Sequence, residues 1–198
     1  MTTPPTTNEK QRCPWIFKVP AYLPYHDHEW GTPNHHDQVH FEFLVMENFQ
    51  AGLSWSTVFL KRENYRKAFA QFDPNQVARF TEKKIEKLVL DPSIIRNRQK
   101  IKAVVNNAKQ FLKAQEEFGS FDRYIWSFVN GKPIVKGWKK NSQVPVTNKA
   151  SDKLSVDLKQ RGFQFVGSTT MYAHMQTFGL VNDHLVSCFR FEEVNGEY

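Results

Sequence analysis

The chain has 198 residues with a net charge of +7, 40% hydrophobic and 14% aromatic residues, which suffices for one domain with a real core and suits a polyanionic partner. No apolar run approaches a membrane span, and residues 1–10 lack the apolar stretch of a secretory signal, so no membrane partner is expected and the cytoplasm is the expected compartment. With Cys13 and Cys188 as the only cysteines, a disulfide framework is excluded in favour of a reducing interior.

Residues 1–11 are rich in Thr and Pro and read as a disordered tail, followed by loops and short turns over 13–35. Asp37 is placed to cap a strongly apolar helix through Val39, Phe41, Leu44, Val45 and Met46, which Gly52 ends. Ser54 then caps a second helix with Val58, Leu60, Tyr65 and Phe69 as core positions. Asp73-Pro74 and Asp91-Pro92 read as helix starts, because Asp caps and Pro suits the first helical position. The clearest helix covers 96–118, where Ile101, Val104, Val105, Ala108, Phe111 and Leu112 form one stripe. Ser120 caps another helix through Tyr124, Ile125 and Phe128. Gly131, Pro133, Gly137 and Pro145 make 130–146 a loop, and helices near 150–161 and 168–178 follow. The expectation is an all-α fold: one compact domain over 12–190, and an acidic tail over 191–198.

Positive charge is concentrated in two places. Arg96, Arg98, Lys100, Lys102, Lys109 and Lys113 occur without an intervening acid, and the segment from 132 to 161 carries an excess of Lys and Arg over Asp152 and Asp157.

Three constellations carry chemistry. The first is Cys13 and His26 together with His184 and Cys188. The last two are spaced i, i+4, which on a helix is a chelating pair, and Cys₂His₂ suits a closed tetrahedral Zn²⁺ site that would tie the two ends of the fold together. The alternative is two buried cysteines and two unrelated histidines. His28, His35, His36, His40 and His174 show no comparable pairing, and His35-His36 reads as a solvated turn.

The second constellation is the stretch from Leu158 to Thr170, which has the layout of a helix-hairpin-helix. Gly162 and Gly167 bracket a tight turn, and backbone amides at the start of the next helix can hold a DNA phosphate, with Lys159, Arg161 and Ser168 adding donors. An ordinary corner between two helices has the same outline.

The third is Glu47 with Trp15, Tyr22, Tyr25, Trp30 and Trp55. Each aromatic taken singly is a core residue; as a group beside a carboxylate they suit stacking on a flat base. Glu47 itself is either a solvated helix-end acid or a buried group with a partner.

Taken together, Cys13-Pro14-Trp15, Tyr25-His26-Asp27-His28-Glu29-Trp30-Gly31, Gln50-Ala51-Gly52-Leu53-Ser54-Trp55, Lys61-Arg62-Glu63-Asn64-Tyr65, Trp126-Ser127-Phe128-Val129, residues 159–167 and Gly179-Leu180-Val181-Asn182-Asp183-His184 resemble the bacterial 3-methyladenine DNA glycosylase I family, over roughly residues 12–190. The resemblance implies a helix-hairpin-helix glycosylase with one structural zinc on Cys13, His26, His184 and Cys188. It implies a base pocket with Glu47 and Tyr25 as the acting groups and Trp15, Tyr22 and Trp55 as aromatic walls; Asp183 is the nearest candidate for the superfamily's catalytic aspartate, and orienting the ligand His184 is the reading preferred for it. Asn48 and Phe49 depart from the family pattern beside that pocket, and Pro14 departs before the first tryptophan.

The implied activity is hydrolysis of the N-glycosidic bond of 3-methyladenine in double-stranded DNA, by base flipping, without strand cleavage, by a monomer. Gly52 and Leu53 are the expected DNA-facing turn, Leu53 filling the gap left by the extruded nucleotide. A non-catalytic zinc-bearing DNA-binding module would leave Glu47 and its aromatics without work. A metal-dependent nuclease would need open coordination positions, which a closed Cys₂His₂ site does not offer.

Overall fold

Residues 10–196 are described by a computed structural model. The expected N-terminal tail falls almost wholly outside them, as does Glu197. In chain order the elements are α1 (Tyr22–His28), α2 (Asp37–Gln50), α3 (Trp55–Phe59), α4 (Arg62–Ala68), α5 (Pro74–Val77), α6 (Glu82–Leu90), α7 (Arg98–Phe118), α8 (Phe121–Trp126), β1 (Ile134–Val135), α9 (Lys149–Gln160), α10 (Ser168–Thr177), β2 (Val181–Asn182) and α11 (Phe189–Asn195). The fold is helical, as expected; the loop over 130–146 adds a two-residue parallel bridge, with Ile134 opposite Val181 and Val135 opposite Asn182.

Helix α2 is the hub. Every side chain from His40 to Phe49 is buried, because α3, α4, α7, α8 and α10 pack around it. A helix apolar on all sides needs such a casing. Of its buried polar residues, Glu42 accepts from Arg62 Nε at 2.6 Å and from Arg66 at 2.9 Å, both on α4, whereas the side-chain amide of Asn48 has no hydrogen-bond partner among the described residues. The end of α2 is set by Lys100, buried on α7, whose Nζ donates to the carbonyls of Phe49 (2.8 Å) and Ala51 (2.5 Å). A cation on orphaned C-terminal carbonyls complements the helix dipole. Gly52 follows at φ +77° and turns the chain into α3.

Side-chain caps fall where the sequence places them: Ser54 accepts from the amide of Thr57 at 3.2 Å, Asp73 from Asn75 at 2.9 Å and Ser120 from Arg123 at 3.0 Å. In α7, Ile101, Val104, Val105, Ala108 and Phe111 form the buried stripe, and Gly119 at φ +82° ends the helix.

Several local expectations are corrected. Asp37 begins α2 but does not cap it; its carboxylate accepts from the amides of Phe121 (2.8 Å) and Asp122 (2.9 Å) and so caps α8. Asp91 does not start a helix: it ends α6 and accepts from the Ser93 amide at 2.9 Å in a turn. Leu60 is not core. It lies in the break between α3 and α4 and is 64% exposed. The acidic end continues through residue 195 as α11, held by buried Phe191 and Val194. The first basic run is not a free surface stripe either, since Lys100 is buried, Arg98 pairs with Glu86 and Lys102 with Glu82.

Candidate base pocket, metal centre and hairpin

The C-terminal half of α2 meets α1, α3 and α10 around a cavity of about 230 Å³. Trp15, Tyr25, Trp30, Trp55, Glu47 and Thr177 line it, together with Gln50, Asn141, Val144, Ala173, Gln176 and Asp183. Three indoles and a phenol around the Glu47 carboxylate, with Asp183 also in the lining, make a flat-walled, electron-rich chamber. Tyr22 is not among the lining residues: it packs edge-on against Trp15, 5.6 Å between centroids, and against Phe59. It supports a wall instead of forming one. Asn48 and Phe49 do not line the cavity either; Asn48 is buried, and Phe49 packs on Tyr65 at 4.7 Å.

Glu47 resolves into the buried alternative, at 2% exposure. Its partner is His174 on α10 and not the neighbouring pocket residue Tyr25. The imidazole Nδ1 lies 2.9 Å from Oε2, while Oε1 is buried without a hydrogen-bond partner among the described residues. Burial pushes the Glu47 carboxyl up, against the opposing pull of His174. The Tyr25 hydroxyl instead lies 3.1 Å from Thr177 Oγ1, which itself donates to the Ala173 carbonyl, so Tyr25 is the donor of that pair. Burial raises the Tyr25 phenol, so it stays protonated.

His174 was hidden from sequence reasoning by its distance, 127 residues from Glu47. The signal that could have found it is the i, i+3, i+4 set Ala173, Gln176 and Thr177, which turns one face of α10 to the cavity. Nor is His174 isolated. Its Nε2 lies 3.2 Å from His40 Nδ1, and His40 Nε2 lies 3.2 Å from Asp122, which also meets His35 at 3.0 Å. His35, His40 and His174, which show no metal-ligand spacing in the sequence, are thus joined by hydrogen bonds through Asp122 and one another.

Asp183 also takes a different place. Its carboxylate accepts from Trp138 Nε1 (2.7 Å), the Tyr172 hydroxyl (2.7 Å) and Gln176 (2.8 Å), and it lines the cavity without bonding the His184 ring. The group that orients His184 is the backbone carbonyl of Trp30, 3.1 Å from Nε2.

The metal-ligand expectation is met in geometry. Cys13, His26, His184 and Cys188 are all buried and present their ligand atoms within 4.8 Å of one another. Cys188 Sγ lies 3.5 Å from His26 Nε2 and 3.6 Å from His184 Nδ1, and Cys13 Sγ lies 3.8 Å from His184 Nδ1. A tetrahedral ion with bonds of about 2.0–2.3 Å needs ligand–ligand edges of roughly 3.3–3.8 Å, and these three separations fall in that range. Both rings are turned by outer partners so that a bare nitrogen faces the sulfurs. Asp27 accepts from His26 Nδ1 at 2.8 Å and is held by Arg12, and Trp30 O accepts from His184 Nε2. Gly31 is required here: its φ is +80°, and a Cβ would lie 2.7 Å from His184 Nε2.

Helices α9 and α10 pack on each other across a tight turn, with Gly162 at φ +87° and Phe163 and Val166 buried beneath it. Asn107 on α7 braces the turn by accepting from the Gln164 amide and donating to its carbonyl, both at 2.8 Å. Gly167 precedes α10 without a side-chain cap, which leaves the first amides of that helix without intrahelical acceptors. The expected donors differ in availability. Arg161 is committed to Asp157 (2.5 Å) and Glu117 (2.6 Å), and the Ser168 hydroxyl to Asp152 (2.5 Å), whereas Lys159 is exposed. Leu53, in the turn before α3, is 42% exposed, a position open to a partner and not a core one.

Known proteins are similar to this one along nearly the whole chain. The protein named DNA-3-methyladenine glycosylase 1 from Escherichia coli (strain K12) is 48% identical over 178 residues, covering 90% of this chain and 95% of that one. A DNA-3-methyladenine glycosylase from Haemophilus influenzae is 48% identical over 177 residues, 89% of this chain and 96% of its own. A crystal structure of 3-methyladenine DNA glycosylase I superposes with a TM-score of 0.87 at 46% identity, over 90% of this chain and 98% of that chain. The Methyladenine glycosylase family matches residues 15–191, and the chain belongs to that family.

Proposed function

We propose that the protein is a base-excision repair glycosylase that hydrolyses the N-glycosidic bond of 3-methyladenine in double-stranded DNA and leaves the strand intact. The observation that carries this is the buried Glu47 with Oε1 unengaged in an aromatic cavity of about 230 Å³. A cavity that size is small against pockets for larger ligands, and it suits one flat heterocycle. A carboxylate is costly to bury without a charge to meet it. In DNA, 3-methyladenine is a cationic purine, and indole faces attract a cation by about 0.5–2 kcal/mol each.

Glu47 Oε1 accepts from the exocyclic amine of the flipped base, while Trp15, Trp55 and Tyr25 enclose the ring. When the bond from C1′ breaks, its electron pair returns to the purine and neutralises it, so the base leaves without prior protonation. The negative charge of Glu47 stabilises the developing sugar cation; water adds to C1′ through its oxygen and releases one proton to solvent. Among the described residues no lysine lines the cavity, which favours hydrolysis over a Schiff base that would cut the strand. The α10 amides after Gly167, with Lys159 and the Gly162 turn, hold a backbone phosphate, and Leu53 fills the gap in the stack.

The Cys₂His₂ cluster holds a structural Zn²⁺, which fixes Cys13 and helix α1 to the segment before α11 and leaves no open position for chemistry. Titrating free 3-methyladenine against the indole fluorescence of the protein tests the pocket. Saturable quenching that adenine does not reproduce is the expected result; equal quenching by both bases, or none, would argue against it.

A further inference from the structure

The pocket carboxylate is connected to a second cavity, toward the N-terminal end of α2. Glu47 Oε2 meets His174 Nδ1, His174 Nε2 meets His40 Nδ1, and His40 Nε2 meets Asp122 Oδ1, at 2.9, 3.2 and 3.2 Å. Both imidazoles are buried and are stacked in place by Phe178, 3.8 Å from the His40 centroid and 4.6 Å from that of His174. Asp122 and His35 line an open surface groove of about 900 Å³ with Trp126 and Lys132. A row of two buried imidazoles between two carboxylates, one facing each cavity, has no packing advantage over apolar side chains of the same shape.

We propose that Asp122, His40 and His174 are positioning residues that set the charge of Glu47, keeping it an anion with Oε1 free for the base. This inference rests on the glycosylase reading of the pocket. Hydrogen-bond accounting supplies the argument. Three hydrogen bonds in series need three protons, one in each gap. Two neutral imidazoles supply two, so the row holds one more, and its position decides the state of the pocket. With that proton on Glu47, the acid donates to a neutral His174 and the pocket has no negative charge. With it on His174, the imidazolium donates to Glu47 on one side and to His40 on the other, and Glu47 is an anion. His40 then passes its own N–H to Asp122.

A fixed anion at the outer end draws the shared proton away from Glu47. Burial pulls the Asp122 carboxyl up, but its hydrogen bonds from His40 and His35 outweigh this and hold it low, so it stays ionised. Burial pushes His40 down to about 4, so His40 is the neutral relay and not the cation. The other charged groups facing the row are Asp37, which acts on His40 through space and favours positive charge there, and His35 on the groove side.

The test is Asp122→Asn, which retains an acceptor oxygen for His40 and removes only the charge. Nitrogen NMR of the ring-labelled protein should report both ring nitrogens of His174 protonated in the parent. The Nδ1 resonance should move toward the unprotonated position in the variant. Single-turnover excision of 3-methyladenine should fall by on the order of tenfold, the effect of about one pKa unit at the pocket carboxylate, with affinity for undamaged DNA unchanged. His40→Phe keeps the stacking on Phe178, cuts the row, and should shift the same resonance. An unchanged His174 spectrum in both folded variants overturns the proposal, whatever happens to the rate. Failure of the parent to excise the base would instead refute the glycosylase reading, and the ring signals would still report on the row.

Discussion

Glu47→Gln separates recognition from folding. In the parent, Oε2 is engaged by His174 and Oε1 faces the cavity unpaired. Glutamine keeps the shape and one acceptor but loses the charge, and one of its two ends must turn an amide toward either His174 or the base. A charged hydrogen bond is worth about 1.5–3 kcal/mol, so free 3-methyladenine should bind roughly 10- to 150-fold more weakly. Excision should fall at least as far, because the cationic nucleotide also loses its counter-charge. Stability should move the other way. Burial raises the Glu47 pKa above its unfolded value, so the folded state binds the proton more tightly. That contribution is present below the unfolded carboxylate pKa, about 4.3, and is lost as pH rises through the folded value. At neutral pH the ionised side chain therefore costs stability, and the glutamine variant should melt no lower than the parent. The assays are calorimetric titration with the free base, single-turnover excision and thermal melting. A variant that binds and excises normally, or one that loses activity only by unfolding, would refute this account of Glu47.

The metal site should yield about one zinc per chain by elemental analysis, and Cys188→Ala or chelation should lower the melting temperature before it alters binding of the free base; metal-free protein of full stability would contradict a structural role. Gly31→Ala, which drives a Cβ against His184 Nε2, should reduce metal content as well as stability. Lys159→Glu should weaken binding to all DNA sequences about equally and lower the salt slope by about one. Arg161→Glu should act first on melting, because it turns a partner of Asp157 and Glu117 into a third acid. Leu53→Ala should slow excision from duplex DNA more than from single strands, and equal slowing on both would remove Leu53 from the role of wedge.

What could be read from the sequence was local or strongly patterned. The α7 stripe, the caps at Ser54, Asp73 and Ser120, and the paired glycines of the hairpin each depend on neighbours a few residues away. The spacing of the two cysteines and two histidines left a metal site and a chance grouping both open, and the family resemblance selected the metal site. What escaped depended on long-range packing. His174 and Glu47 meet only because α10 crosses α2, and no spacing rule links residues so distant. Asp37 matches the pattern of a cap on its own helix, yet the N-terminus of α8 lies closer to its carboxylate. Lys100 looks like one member of a basic run, although it folds inward to close the end of α2. Asp183 stands beside a metal ligand in sequence, but its side chain faces the cavity, where Trp138, Tyr172 and Gln176 fix it.

The central claim is that this cavity removes a cationic purine from duplex DNA by hydrolysis alone. The direct measurement incubates the zinc-loaded protein with methylated duplex and follows free bases by chromatography and strand integrity on a denaturing gel. The account expects 3-methyladenine to be released, with the strand intact until alkali or heat opens the abasic site. Strand cleavage without added alkali or heat, or DNA binding with no base released, would contradict it.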